Sequence, residues 1–523
     1  MRKSLEKGWR YFLLTPFLLL ASATTLFLHH GISLFSQEYV TSVFIILALC
    51  IPFGILMVFG NLIIRIMIAS ILVLFFILSL IDQAFLDEII VELRYRYVLM
   101  ALLLMISVGL YFIRQNMDKI LFILFGVFLV GSFFTPESLF KEKRFDVSGK
   151  SNDISLPPYI HIILDEHIGI EGVPPKEDAA HKFSNSIKDK YVKNGFQIYG
   201  RAYSRYTESK NSFTSFLMLK AIDNPDKFYN TSNDVINLKE NKFFEELSRN
   251  GYHINVLQST FMNLCDKNEN ISIKRCITYK YDILGKDDSL LSVFFFSALK
   301  TMRLIKFYGP FQQSSLGKVL SLPTPLLIPA SKAAYNAFPT ALELLKNAEM
   351  GNAYFVHLLI PHSPYLFNKN CSLISARSRT ELGSNYQYYL GQVACVQSLM
   401  DQLFSKLDEN TNAKNSTIVI HGDHGSRIVL PRTGSTSGGI YPTDENFIQS
   451  FSTFFAVRGP EHKAGYDRSP LALDQLLNEV VLGKEHDVDN NGIVYLKKPN
   501  GATTGLIRTP LPPFSHGLPA EKW

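Results

Sequence analysis

The chain has 523 residues, room for roughly three or four domains, or fewer where a domain is a large α/β unit. Hydrophobic residues make up 47%, yet that figure averages two populations: Tyr11 to Phe134 is almost continuously apolar, and from Thr135 onward charge, Gly, Pro and apolar runs mix in ordinary proportion. A chain of uniform character is thereby excluded, while the net charge of +6 points only weakly to an anionic lipid surface and gives no cause to expect a nucleic-acid partner.

Apolar stretches long enough to cross a bilayer run over Tyr11–Leu28, Thr41–Phe59, Leu62–Leu80, Val98–Phe112 and Ile120–Phe134. A span takes about 20 residues, ~17 at the short end, so the last two borrow from their flanks. The first follows Met1-Arg2-Lys3 and also has the outline of a signal peptide, with Ala21-Ser22-Ala23 as a cleavage site. The further spans behind it favour an anchor. Arg2, Lys3, Lys7 and Arg10 precede the first span, Arg65 lies between the second and third, and Arg114 and Lys119 lie between the fourth and fifth. The alternate loops are poorer in cations, so the N-terminus is expected inside and everything after Phe134 outside.

Five cysteines fit an oxidising compartment for the second half. Cys50 lies within a span, and the other four form a sequence-near set, Cys265, Cys276, Cys371 and Cys395. Pairing Cys265 with Cys276 and Cys371 with Cys395 is the simplest of three connectivities, and free buried thiols are the alternative.

Phe140–Pro158 is polar, charged and ends in Pro, which reads as a linker. A β/α rhythm follows. Strands are predicted at Tyr159–Leu164, Phe196–Ala202, His253–Leu257, Ala353–Ile360, Ser416–Ile420 and Phe451–Val457. Helices are predicted at Lys182–Asn194, Ser209–Ala221, Lys242–Asn250, Tyr386–Leu407 and Leu471–Leu482. Continuous apolar strands separated by helices predict a mainly parallel sheet sandwiched between helices. The expected organisation is a transmembrane domain at 1–137, a linker at 138–158 and a catalytic domain at 159–523.

Metal-competent residues stand just past the strand ends: Asp165 and Glu166, then His362, then Asp423 and His424 in His421-Gly422-Asp423-His424-Gly425. Open α/β sheets bind ligands outside the carboxyl ends of their strands, so these groups should converge. Asp423 and His424 offer hard oxygen and imidazole nitrogen, a set suited to zinc. An Asp after a strand is more often a turn or cap residue, and Asp165 alone would decide nothing. Asp487–Gly492 looks like the start of a calcium loop, but Lys498 stands at the twelfth position in place of Glu, and a hairpin turn at Asn-Gly is the better account.

The order strand–Asp165, hydroxyl residue opening a helix, Pro361-His362-Ser363-Pro364, then Gly422-Asp423-His424-Gly425 resembles the alkaline phosphatase/sulfatase superfamily. In layout it is similar to membrane phosphoethanolamine transferases and lipoteichoic acid synthases. The motif likeness covers about 160–220, 353–368 and 416–427. The resemblance implies Ser209 as nucleophile, with Ser212 three residues on, and Asp165, Ser209, Asp423 and His424 as ligands of a divalent metal, most simply Zn2+. It implies that His362 contacts the transferred group or its leaving oxygen. A helix start suits such a nucleophile, because free N–H groups and the dipole favour an anion there. Alternatives stay open: Ser209 as a plain N-cap, Thr207 as nucleophile, His357 as a core histidine or a second-metal or substrate contact, and Glu166 as an extra ligand or, more simply, a solvated neighbour.

The resemblance further implies a bacterial inner-membrane, multi-pass protein with its catalytic domain in the periplasm or otherwise outside the cytoplasm. Its donor would be a membrane phospholipid and its acceptor an envelope glycan or lipid. A hydrolase of the same fold and a non-catalytic lipid sensor are the rival readings. Two departures stand out. Ser426–Gly439 lacks the His that the transferases carry after DHG, leaving Arg427, Arg432 or His516 as substitutes. Ser209–Phe213 lacks the Pro and Arg of the sulfatase formylglycine motif, which argues against a sulfate ester.

Overall fold

The computed structural model describes residues 2–29, 37–80, 95–132, 140–147, 155–173, 178–232, 235–266, 269–281, 330–374, 386–428, 443–483, 492–497 and 506–514. The chain divides into two compact units, Met1–Leu139 with Ile283–Ile328, and Phe140–Asp282 with Pro329–Trp523.

The described part of the first unit is five helices: α1 (Arg2–His29), α2 (Gln37–Phe59), α3 (Leu62–Leu80), α4 (Tyr95–Phe112) and α5 (Met117–Ser132). Helix α1 packs on α2, α3 and α5 around Tyr11, Leu14, Leu18, Met57, Phe76 and Phe125. The outside is as apolar as the inside, with Phe59, Ile63, Leu104, Phe112, Ile123 and Val127 all exposed. Arg65, in contrast, is folded back: its Nε and one Nη donate to the carbonyls of Met57 and Val58, both at 2.8 Å. Counted over the described residues alone, no helix is long and apolar enough to cross a membrane.

The second unit is built on a nine-stranded sheet. Its elements in chain order are β1 (Phe140–Arg144), β2 (Tyr159–Leu164), α6 (Asp178–Lys193), β3 (Gln197–Tyr199), α7 (Ser209–Leu217), β4 (Tyr229–Ser232), β5 (Val235–Leu238), α8 (Lys242–Arg249), β6 (His253–Ser259), β7 (Met262–Asn263), β8 (Ile273–Tyr279), α9 (Ala330–Lys346), β9 (Asn352–Leu358), α10 (Tyr386–Glu409), β10 (Thr417–Gly422), α11 (Asp444–Phe451), β11 (Phe455–Arg458), β12 (Gly465–Asp467), α12 (Leu473–Leu482), β13 (Ile493–Lys497) and β14 (Leu506–Pro510).

The sheet order is β1-β8-β6-β9-β2-β10-β11-β3-β12. Strands β8 to β10 along that order are parallel, whereas β1, β11 and β3 each meet a neighbour antiparallel. The expected mainly parallel sheet is therefore a mixed one. A strand buried on both faces gives the same apolar run in either direction, so composition reports burial and not direction. Strands β2, β6 and β9 are buried at every position.

Other boundaries moved for identifiable reasons. Phe140–Arg144, inside the stretch read as a linker, pairs with β8 as an edge strand; its exposed charges Lys141, Glu142, Lys143 and Arg144 suit an edge. The segment from Phe451 is split between the end of α11 and β11. Strand β13 pairs antiparallel with the downstream β14; the expected hairpin turn at Asn-Gly, with 484–491 and Lys498, lies outside the described residues. Cys265–Cys276 and Cys371–Cys395 are both disulfide-bonded, the nearest-neighbour pairing.

Candidate metal centre and active site

Three adjacent parallel strands end together. Leu164 of β2 is in register with Leu358 of β9 and with Gly422 of β10, so the residues that follow each strand meet at one edge. Asp165 and Glu166 leave β2, His362 follows β9, and Asp423 and His424 leave β10. The glycines around Asp423 and His424 are required by packing. A Cβ on Gly425 would lie 2.1 Å from the carbonyl oxygen of Gln449, and one on Gly422 would lie 2.4 Å from that of His167.

Asp165, Asp423 and His424 offer ligand atoms that all lie within 4.8 Å of one another, and all three are buried. Nδ1 of His424 faces the Gly425 carbonyl at 2.8 Å, so the proton sits there and the Nε2 lone pair faces the cluster. One oxygen of Asp423 accepts from the backbone N–H of Glu166 (2.9 Å) and of His424 (3.0 Å). Its other oxygen, and Asp165 Oδ1, are buried with no hydrogen-bond partner. Burial, with the charge of Asp165 beside it, pushes the Asp423 carboxyl up to about 7, while burial and the neighbouring Arg427 push the His424 imidazole down to about 4. Buried carboxylate oxygens without donors, beside an imidazole lone pair, are the environment that a divalent cation satisfies. The residues present fit such an ion.

Ser209 stands against this cluster, its Oγ 3.3 Å from His424 Nε2. It is the first residue of α7, with Glu208 in the N-cap position, so Ser209 does not cap the helix. Ser212, one turn on, donates to the Asp423 carbonyl at 2.6 Å and locks α7 to the end of β10. Thr207 is buried and, unlike Ser209, does not line the adjoining cavity. His362 lies on the cavity wall with Ser209 and is partly exposed. His357 is a fully buried core histidine, yet it also faces the centre, its Nε2 3.7 Å from Asp165 Oδ2.

Glu166 is not a solvated neighbour. It is fully buried, and its carboxylate accepts from the backbone N–H of Ser363 at 2.9 Å. Its Oε1 lies 3.2 Å from Arg427 Nε and 4.0 Å from His362 Nε2. Arg427 reaches Ser209, Nη2 donating to its Oγ at 3.2 Å and facing His424 Nε2 at 2.6 Å. Of the cationic substitutes read from the sequence, Arg427 thus lies in the site, and Arg432 and His516 lie outside the described residues.

The sulfatase family model matches residues 201–481, more than half of the chain. The chain belongs to the sulfatase family. Its fold is the α/β fold of that family, and the alkaline phosphatase/sulfatase superfamily to which the family belongs is one of metal-using enzymes, so this sulfatase-family chain is an enzyme with a site suited to a divalent metal. No curated protein matches the chain. Among solved structures it is similar to the C-terminal periplasmic domain of EcEptC from Escherichia coli (13% identity, 70% of this chain and 94% of that one, TM-score 0.37). It is also similar to a phosphonate monoester hydrolase of Agrobacterium radiobacter (11% identity, 66% and 81%, TM-score 0.38). A third is a protein of the alkaline phosphatase superfamily from Vibrio parahaemolyticus (11% identity, 68% and 78%, TM-score 0.36).

Proposed function

We propose that this sulfatase-family enzyme transfers a phosphoryl headgroup, such as phosphoethanolamine, from a membrane phospholipid to an envelope glycan or lipid through a covalent ester on Ser209. The observation that carries this reading is the mixed lining of a cavity of about 360 Å³ next to Ser209. Asp165, Ser209, Lys210, His362 and Arg427 contribute polar groups, and Ile236, Phe261, Ala330, Leu359 and Pro364 contribute apolar surface. A phosphodiester that carries one apolar substituent matches such a lining better than an inorganic ester does.

Asp165, Asp423, His424 and Ser209 would hold the divalent ion, most simply zinc, which when bound supplies Lewis acidity at the reacting centre. In the first step a bond forms between Ser209 Oγ and phosphorus as the bond to the glycerol oxygen breaks. The hydroxyl proton ends on the departing diacylglycerol, with His362 as its carrier. In the second step an acceptor hydroxyl attacks the same phosphorus as the Ser209 Oγ–P bond breaks, and the acceptor's proton passes to Ser209 Oγ. The α7 N-terminus favours an anion beside Ser209 through the helix dipole.

Membrane anchorage is part of the same proposal. An apolar exterior around α1–α5, with Arg65 turned onto backbone carbonyls, is the inverse of a water-soluble bundle and suits five lipid-facing spans. Two disulfides in the second unit support an extracytoplasmic location, here the outer side of a bacterial inner membrane. The test is to incubate the purified full chain with vesicles containing phosphatidylethanolamine, follow diacylglycerol release, and determine the mass of the Ser209 peptide. Diacylglycerol together with a headgroup adduct on Ser209 supports the proposal. Release without transfer to any acceptor points to the hydrolase, and no release at all points to a lipid-binding sensor.

A further inference from the structure

We infer that Arg427 is the residue that binds the anionic oxygens of the group under transfer, and that Glu166 is the positioning residue that holds it over Ser209. The inference rests on the Ser209 reading above, but on different atoms. Arg427 Nη2 touches the attacking oxygen, so any tetrahedral oxyanion that meets Ser209 meets the guanidinium at the same time. The planar guanidinium offers five donors in a fixed fork that fits two oxygens of a phosphate or sulfate ester. Here Nη2 serves both Ser209 and His424, while Nε is buried and lacks a hydrogen-bond partner. Arg427 lines the cavity together with Ser209 and His362, so the guanidinium borders the space a substrate would fill.

Glu166 is built for holding. Its φ is +65°, the left-handed region that a non-glycine residue enters only where surrounding contacts over-determine it. Those contacts are a backbone N–H donated to Asp423 Oδ1 (2.9 Å), a carbonyl that accepts from Tyr389 Oη (2.7 Å), and a carboxylate oxygen that accepts from Ser363 N (2.9 Å). The remaining oxygen, Oε1, faces Arg427 Nε at 3.2 Å and makes no hydrogen bond. Its charge therefore serves the guanidinium. One residue thus ties the β2 exit, the His362 loop and Arg427 into one arrangement. A neutral Gln at this place would keep the shape and the bond to Ser363 while removing the charge that fixes Arg427.

The experiment uses the full chain loaded with divalent metal, and inorganic phosphate as the probe, with binding followed by calorimetry and metal content by elemental analysis. Arg427→Ala is expected to weaken phosphate binding roughly 10- to 100-fold, the loss of charge-assisted hydrogen bonds, with metal content retained. Methylguanidine should restore part of that binding in Arg427→Ala and none in Glu166→Gln. Arg427→Lys, which keeps charge but not the fork, should fall between. Glu166→Gln should weaken phosphate binding about tenfold and raise KM for the lipid more than it lowers kcat, at unchanged metal content. Unchanged phosphate affinity in Arg427→Ala, or loss of metal and phosphate together in Glu166→Gln, overturns the inference. If the wild type cleaves no lipid yet phosphate affinity follows Arg427, the transfer reading fails and this inference stands.

Discussion

His161 Nε2 and His421 Nε2 lie 2.6 Å apart inside the sheet, one from β2 and one from β10, enclosed by Phe216, Phe243, Phe355 and Phe455. One ring must donate and the other accept, so at least one is neutral, and burial disfavours charge on either. Burial lowers both, His161 well below its ordinary value with His421 adding to the effect, and His421 to about 4. A histidine depressed by folding contributes stability that is complete above about 6.5 and is lost as pH falls through its folded value. Denaturation midpoints of the full chain in detergent should therefore decline from pH 6.5 toward pH 4. His161→Phe should flatten the decline; an identical slope in that variant would remove the pair as its cause.

The metal centre predicts a stoichiometry. About one divalent ion per chain is expected from the single group of ligands found among the described residues. Asp423→Ala and His424→Ala should each lose it, because each removes an inward-facing ligand atom of the cluster. Elemental analysis of the two variants against the wild type checks this. An active wild type free of divalent metal would sink the proposed chemistry.

Ser209→Ala should abolish headgroup transfer and leave the fold intact. Ser209 follows the N-cap residue Glu208 and so contributes no cap. Ser212, which ties α7 to Asp423, is untouched. The expected stability change is small, about 1 kcal/mol or less for the lost side-chain hydrogen bonds. Transfer assays beside thermal unfolding separate the two effects, and retained transfer would move the nucleophile elsewhere.

The disulfides make a further prediction. Cys265 and Cys276 are 11 residues apart and Cys371 and Cys395 are 24 apart. Closing loops of this size contributes about 3 kcal/mol each by the chain-entropy account. Cys265→Ser/Cys276→Ser should cost more than that figure alone implies, because both residues belong to the buried core cluster. Denaturant midpoints give the cost, and non-reducing peptide mapping should find both bridges and a single free thiol, Cys50.

Much of this molecule was legible before any fold was known. Apolar runs marked β2, β9 and β10 because strands buried on both faces must be apolar throughout, and the polar residues at their ends could only lie at the sheet edge. That rule named Asp165, His362, Asp423 and His424, and the resemblance to the superfamily singled out Ser209. The cysteines were near enough in sequence for proximity to select their partners. Tertiary structure alone decided the rest. Glu166 read as a solvated neighbour because its partners Ser363 and Arg427 are distant in sequence. His161 and His421, 260 residues apart, meet only because β2 and β10 lie side by side. The direction of β11 and the enrolment of Phe140–Arg144 into the sheet were equally hidden, since burial pattern is blind to strand direction and an exposed, charged edge strand has the composition of a linker. What local composition determines is which residues must be buried or turned; which buried charges meet is fixed only when chain closure brings them within a few ångströms.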